Sequence, residues 1–378
     1  MRIALVVPGG VDRSGEYRVI PALIALISQL SRHNDVQVIA LHQEADAGEW
    51  DLAGARIHNV GRPYTGLRAL IAIYRMHRRT PFDLVHAIWS GTGGMVALIA
   101  GKVLRIPSLV HVAGGELAAI PDIAYGGART WRGRLRESFV LRGVSTVTAA
   151  SAPAIAVLAK HAIPAQRVPL GVDLTVWPPR EPVRRDHSRP ARLIHVASIN
   201  RVKDQTTLLL TLEALVKSGT SFVMDLVGED TLRGEMQALT EKLRLSEVVK
   251  FHGFLTQRQL RPLMEAADLM VLSSRHETGP LAVLEAAVAG VPTVGTRVGH
   301  VAEWAPSAAL SAPIGDWARL AAAVRRLLDD EDLRMSLARE AQQRATREDA
   351  EHTAARFLGL YARLLETSPV ARVKLCKK

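Results

Sequence analysis

A chain of 378 residues has room for two domains of ordinary size, and with 48% hydrophobic residues it can bury a large core, which excludes a disordered protein. The formal charge of +11 divides into 19 − 12 = +7 for residues 1–175 and 29 − 25 = +4 for the remainder; it points to acidic partners, while 4% aromatics are too few stacking rings for a nucleic-acid binder. The single cysteine, Cys376, allows no internal disulfide or cysteine metal site, and no run of about 18 apolar residues exists to cross a bilayer.

The N-terminal MRIALVVPGG is read as a buried strand and is too short for a leader, so the expected location is cytoplasmic, at most peripheral on the inner face of a membrane. Short apolar runs then alternate with amphipathic stretches, the pattern of parallel sheets covered by helices. Strands are expected at 3–7, 36–41, 84–87, 108–112 and 146–149, with helices at 20–30, 67–78 and 92–104 between them. WPPREPVRRDHSRP (177–190), with four prolines, reads as a linker, because proline blocks helix and central strand alike. The scheme then repeats, with strands near 193–197, 222–227, 248–251, 269–272 and 293–295, and helical periodicity over 316–366.

The expected organisation is therefore an N-terminal Rossmann-like domain over 1–176, a linker over 177–190 and a second Rossmann-like domain over 191–350. A C-terminal helix in 351–378 crosses back to the first domain and ends in a basic tail. Ligands of doubly wound α/β domains bind at the carboxyl ends of strands.

One stretch carries the most chemistry. In RHETGPLAVLEAAVAG (275–290), Glu277 and Glu285 stand eight positions apart around Gly279–Pro280, where proline favours a helix start. Leu281, Leu284 and Val288 share the face that packs on a sheet, whereas Ala282, Glu285 and Ala289 form a second row with space beside the carboxylate. Ionised carboxylates are pure acceptors, suited to hydroxyl groups, while the N–H groups of a helix start suit phosphate. Both together describe a nucleotide sugar; for the two acids alone, complementing the helix dipole is an equally good account. Lys203, in the turn between the strand ending at Ala197 and a helix from Thr206, adds a cation able to neutralise a diphosphate.

In chain order, PLGVDL (169–174), VKDQTTLLL (202–210), LVGED (226–230), VVKFHGFL (248–255) and HETGPLAVLEAAVAGVPTVGTRVGHVAE (276–303) resemble the retaining glycosyltransferases of family 4, the glycosyl transferases group 1. The resemblance implies an α/β protein of GT-B fold, with two Rossmann-like doubly wound domains facing each other across a cleft. It also implies transfer of a sugar from a nucleotide-sugar donor, UDP- or GDP-linked, with no required cofactor or metal.

Residue by residue, the resemblance makes Glu285 an acceptor for the ribose hydroxyls. Glu277 meets the transferred sugar, with the backbone of Gly279, Pro280, Leu281 and Ala282, and Lys203 stabilises the departing diphosphate. Gly10, in the glycine loop VPGGVDRSGEYRVIPAL, Gly228 and Phe254 join the donor-side set. Two places depart from the pattern: Ser198 stands where an arginine is usual, leaving Arg201 as substitute, and Ala113 stands where a histidine is usual, leaving His111 two residues earlier as the catalytic candidate. Glu116, Trp89 and Arg18 are acceptor-side candidates, and His86 and His300 weaker ones.

The glycine loop is not a G-x-G-x-x-G fingerprint, which disfavours a nicotinamide enzyme. A phosphorylase lacks its pyridoxal lysine motif here; a nucleotide-sugar 2-epimerase and a non-catalytic nucleotide-sugar sensor remain as alternatives. The acceptor is expected to be a glycan or a lipid-linked precursor of a surface polysaccharide or glycolipid. GLRALIAIYRMHRR (66–79) and ARTWRGRLRESFVLRG (128–143) mix apolar and basic residues in a way that suits an anionic membrane surface or, equally, a solvated helix face.

Overall fold

The computed structural model describes residues 1–367 and divides them into two compact units, 1–171 with the helix from Ala350 onward, and Val172–Asp349. Residues 368–378, including Cys376 and the basic tail, lie outside the described residues.

The first unit holds an eight-stranded sheet: β1 (Arg2–Val7), β2 (Asp35–Ala40), β3 (Gly48–Leu52), β4 (Ala55–Asn59), β5 (Leu84–Ile88), β6 (Ser108–Val112), β7 (Thr146–Ala149) and β8 (Gln166–Arg167). Its order is β3-β4-β2-β1-β5-β6-β7-β8, parallel except for the β3–β4 hairpin. One face carries α1 (Pro21–Ser31) and α13 (Ala350–Thr367), packed through Leu23, Ile27, Phe357 and Tyr361. The other carries α2 (Thr65–Arg79), α3 (Met95–Leu104), α4 (Trp131–Gly143) and α5 (Ala152–Lys160), packed through Ile73, Ala97, Val140 and Leu158. α13 is anchored by Thr353, whose Oγ1 accepts from Gly171 N at 2.9 Å and donates to Pro169 O at 2.7 Å.

The second unit holds six parallel strands: β9 (Ala191–Val196), β10 (Phe222–Val227), β11 (Val249–Gly253), β12 (Leu269–Leu272), β13 (Thr293–Thr296) and β14 (Ala309–Ala312). The order β11-β10-β9-β12-β13-β14 starts in the middle and winds outward both ways, so the strand order, though not the strand direction, reverses between β9 and β12. α6 (Gln205–Lys217), α7 (Glu235–Lys242) and α11 (Trp317–Asp329) cover one face; α8 (Gln257–Glu265), α9 (Leu281–Val288), α10 (Gly299–Trp304) and α12 (Glu331–Arg347) cover the other.

Several details differ from the sequence expectations. The β3–β4 hairpin turns through Ala53 and Gly54, both at positive φ (51° and 81°), and alanine there gives no turn signal to read. The helix expected from 92 starts at Met95, because Ser90–Gly94 form a wide turn in which Gly91 takes φ −37°, ψ −121°. The stretch 177–190 is no free linker. Arg189 makes a two-pronged pair with Asp268 (2.8 and 3.0 Å), and buried Arg334 donates to Val183 O at 2.6 Å, so the prolines of this segment lie strapped to the second unit. Its boundary accordingly falls at 171/172 and not after 176.

Candidate functional site

In the second unit the turn after β9 and the segment after β12 meet at the point where strand order reverses. The β9 turn is built from its own backbone and two buried side chains. His195, with Nδ1 2.8 Å from Val271 O, lies 3.3 Å through Nε2 from the amide nitrogen of Gln205; Gln205 in turn donates to Ser198 O (3.1 Å) and accepts from Asn200 N (3.3 Å). Burial pushes the His195 imidazole down to about 4, so it stays neutral as this bracket requires. Asp204, at φ 50°, caps α6 by accepting from Thr207 N. Two bonds then tie the turn to the β12 side: Ser273 Oγ donates to Lys203 O at 2.8 Å, and Arg275 N to Val202 O at 2.8 Å.

This scaffold delivers Lys203 Nζ to within 2.6 Å of Glu277 Oε1, the same oxygen that accepts from Ser274 Oγ at 2.7 Å. Gly299, at the start of α10, closes the place from the β13 side: a Cβ there would come 3.0 Å from Glu277 Cβ and 2.7 Å from Pro280. Pro280 is the N-cap of α9, and the N–H groups of Leu281 and Ala282 precede the bond from Val283 N to Pro280 O at 3.2 Å, so a helix of this kind leaves them without an intrahelical acceptor. Ammonium, helix start and carboxylate thus share a few ångströms, an arrangement with anion- and hydroxyl-binding capacity side by side.

Glu285 sits one turn into α9 and is only 3% exposed. Burial raises its carboxyl to about 7, an effect opposed in part by a hydrogen bond from the Gln257 side chain. Oε1 of Glu285 has no hydrogen-bond partner among the described residues, although it is buried. Gln257 is held in turn by the indole N–H of Trp177, which donates to its Oε1. Neither Trp177 nor Gln257 stands out in the sequence; Trp177 falls in the stretch read as linker.

Other donor-side candidates fall around this place in various ways. Gly228 allows the ends of β9 and β10 to close up, since a Cβ would meet Ala197 O at 1.9 Å. Phe254, just after β11, is half exposed. Arg201, the substitute expected for the missing arginine at 198, has its guanidinium paired with the half-exposed Glu235 at 2.6 and 2.8 Å. His300 is buried, 3.6 Å from Glu303 and stacked on Trp304, and takes a core position in place of a ligand-facing one.

The first unit carries a separate pocket of about 430 Å³ at the carboxyl ends of β1, β5 and β6, lined among others by Pro8, His42, Trp89, Glu116 and Tyr125. It brings together Trp89 and Glu116. Glu116 is nearly buried and accepts from Ser90 N and Ala113 N (3.3 Å each) and Gly114 N (2.7 Å); it holds two loops in register, and burial still raises its carboxyl. Trp89 is held at φ 72°. Gly10, at φ 78°, lets the first loop fold over Ile20, whereas Arg18 turns to Gln43 O at 2.5 Å.

His111 requires a correction. Its ring is fully buried, with Nδ1 2.9 Å from Thr148 Oγ1 and its edge against Phe357 of α13; burial lowers it to about 3. A ring enclosed by its own core reaches no substrate, so this histidine has a packing role. His86, 2.6 Å from the Tyr361 hydroxyl, is its neighbour in the same buried cluster. Among the described residues no group of three or more His, Cys, Asp or Glu is placed to hold a metal, and no helix is long and apolar enough to cross a membrane.

Comparison with known proteins agrees with this layout. Residues 180–344 match the model of the glycosyl transferases group 1, and residues 25–171 that of the glycosyl transferase 4-like domain. A glycogen synthase of Mycobacterium tuberculosis is 33% identical over 178 residues, 47% of this chain and 42% of that protein, so the chain spans less than half the length of this relative. The 2-deoxystreptamine glucosyltransferase of Streptomyces kanamyceticus is 28% identical over 69% of this chain and 72% of its own. In fold, sucrose-phosphate synthase from Thermosynechococcus elongatus superposes with a TM-score of 0.79 at 19% identity, covering 97% of this chain and all of that one. HepE of Anabaena, solved with UDP-glucose, gives 0.74 at 18%, covering 96% and 100%.

Proposed function

The chain belongs to the glycosyl transferases group 1, with the GT-B fold, and we propose that it moves a sugar from a nucleotide-sugar donor to a glycan or lipid-linked acceptor with retention at the anomeric carbon. The observation that carries this reading is the meeting of Lys203, Glu277 and the start of α9 at the strand-order reversal of the second unit. The Lys203 ammonium and the α9 N–H groups neutralise the departing diphosphate, Glu277 takes hydroxyls of the transferred sugar, and Glu285 takes ribose hydroxyls through its unpartnered Oε1.

In the transfer, the bond between the anomeric carbon and the diphosphate oxygen breaks with its electron pair leaving on the phosphate. The acceptor oxygen bonds to the carbon on the same face, and the acceptor's hydroxyl proton passes to the departing phosphate oxygen. No step needs a metal, because the cationic charge comes from Lys203 and the helix end. The donor is UDP- or GDP-linked, the acceptor belongs to surface polysaccharide or glycolipid synthesis, and the first unit meets it at an anionic membrane surface.

A thermal-shift screen with UDP-, GDP- and ADP-sugars, followed by transfer of labelled sugar from the stabilising donor and NMR of the product's anomeric configuration, tests the reading. Stabilisation by one nucleotide class and a retained configuration are expected. Binding without transfer to any glycan or lipid acceptor would favour the non-catalytic sensor, and an inverted product would remove the mechanism.

A further inference from the structure

The outer faces of α2, α3 and α4 form one surface. All three cover the same side of the first sheet, with α3 packed against both α2 and α4. Their inner sides hold the core, yet their outer sides are not polar. On α2, Leu67, Ile71 and Tyr74 recur at three- and four-residue spacing and are exposed. On α3, Ile99 and Val103 continue the apolar surface, and a groove of about 330 Å³ runs between these two helices, floored by Leu70, Ile73 and Leu104. On α4, Trp131, Leu135 and Phe139 stand at four-residue intervals, each 60–62% exposed.

Charge on the three helices has one sign. They contain Arg68, Arg75, Arg78, Arg79, Lys102 and four arginines of α4, against a single acid, Glu137, which is 1% exposed and paired to Arg136 at 2.7 Å. Such a surface is apolar along its ridges and cationic between them. A second copy of the chain would set cations against cations, and a nucleic acid has no use for exposed Leu, Ile and Val.

We infer that the α2–α3–α4 face docks the chain on an anionic phospholipid bilayer, with Leu67, Ile71, Leu135 and Phe139 entering the acyl boundary while the arginines meet the headgroup phosphates. The inference deepens the proposed membrane-borne acceptor by naming the surface that reaches it, and its test needs no sugar transfer. The arrangement lies flat on the membrane, because the helices are fixed to the sheet through their inner sides.

Co-sedimentation of the full chain with vesicles of phosphatidylcholine alone, or of phosphatidylcholine with phosphatidylglycerol at about 7:3, checks it. Binding to the anionic vesicles at least tenfold tighter than to neutral ones, and weaker at high salt, is expected. L67D/I71D and L135D/F139D should each lower that binding about tenfold or more, with unchanged circular dichroism and unchanged stabilisation by the nucleotide sugar. Equal binding to both vesicles, or variants that bind like wild type, would overturn it. So would a dimer in sedimentation velocity that the same variants dissociate, or binding to duplex DNA that competes fully with the vesicles. Loss of nucleotide-sugar binding in wild type would strike the transferase reading and leave the vesicle result standing.

Discussion

Lys203 Nζ and Glu277 Oε1 lie 2.6 Å apart, although 74 residues separate them in the chain. The pair is only partly exposed (25% and 10% of the side chains), so each charge depends on the other more than a surface pair does. It presents cation and acceptor to one place, as a charged leaving group beside a polyol requires.

Replacing Lys203 with alanine removes that cation and leaves Glu277 without its main partner. Transfer should fall by roughly 100-fold or more, the scale of losing one charge-stabilising donor in a preorganised site. E277Q should lose rate with a smaller effect on nucleotide binding. Steady-state kinetics with circular dichroism as a folding control check both, and near-wild-type turnover in K203A would dismiss the site assignment.

Gln257 acts through Glu285. With Trp177 behind it, it fixes the carboxylate so that Oε1 faces away from its own hydrogen bond. Q257L should raise the donor KM about tenfold, near the net worth of one hydrogen bond to a charged group, with kcat little changed. W177F should shift KM the same way and less. A fall in kcat at constant KM would mean that the residue does something else.

Glu285 makes an opposite demand on stability. Its carboxyl is raised to about 7 from 4.5 by burial, so its contribution is fully present below about pH 4.5 and is lost as pH rises through 7. E285Q removes that penalty, worth at most roughly 3 kcal/mol. The variant should melt several degrees above wild type at pH 8, with the gap closing near pH 5, while its affinity for the nucleotide sugar drops. Melting curves at both pH values decide it; a variant less stable than wild type at pH 8 would refute the burial account.

The buried histidines set the acid limit. His111 and His195 are lowered to about 3 and about 4, and His86 is lowered well below its usual range, all by burial. As pH falls below about 6.5 the unfolded chain takes up these protons and the folded chain does not, so stability declines from there toward pH 4. Each histidine adds up to about 1.4 kcal/mol per pH unit to the slope. Urea unfolding at pH 7, 6 and 5 measures it, and H111Q should flatten the dependence by about one proton.

Treatment with EDTA should leave transfer within about twofold of the untreated rate, because the proposed mechanism draws its cationic charge from Lys203 and the α9 start. Loss of activity restored by Mg²⁺ or Mn²⁺ would contradict the mechanism.

The alternation of apolar runs with amphipathic stretches determined two α/β units, since a strand buried on both faces must be apolar throughout, as Ile3–Val7 is. The spacing of Glu277 and Glu285 about a proline, and a lysine in a strand-to-helix turn, were equally visible, because they are local patterns with local consequences. Other features depend on partners distant in sequence. Arg201 is paired with Glu235, 34 positions along the chain, and His111 has its ring closed over by Phe357, 246 positions later.

Trp177 and Gln257 carried no signal, since an indole and an amide acquire meaning only from the carboxylate that their side chains reach. The strapping of 177–190 to the second unit likewise rests on Asp268 and Arg334, far along the chain. Residue types and their spacing thus determined the fold class and singled out Lys203 and Glu277, which the structure brings within 2.6 Å of each other. Only the tertiary structure decided which charged groups are paired and which are buried, because hydrogen bonding and desolvation are properties of neighbours in space.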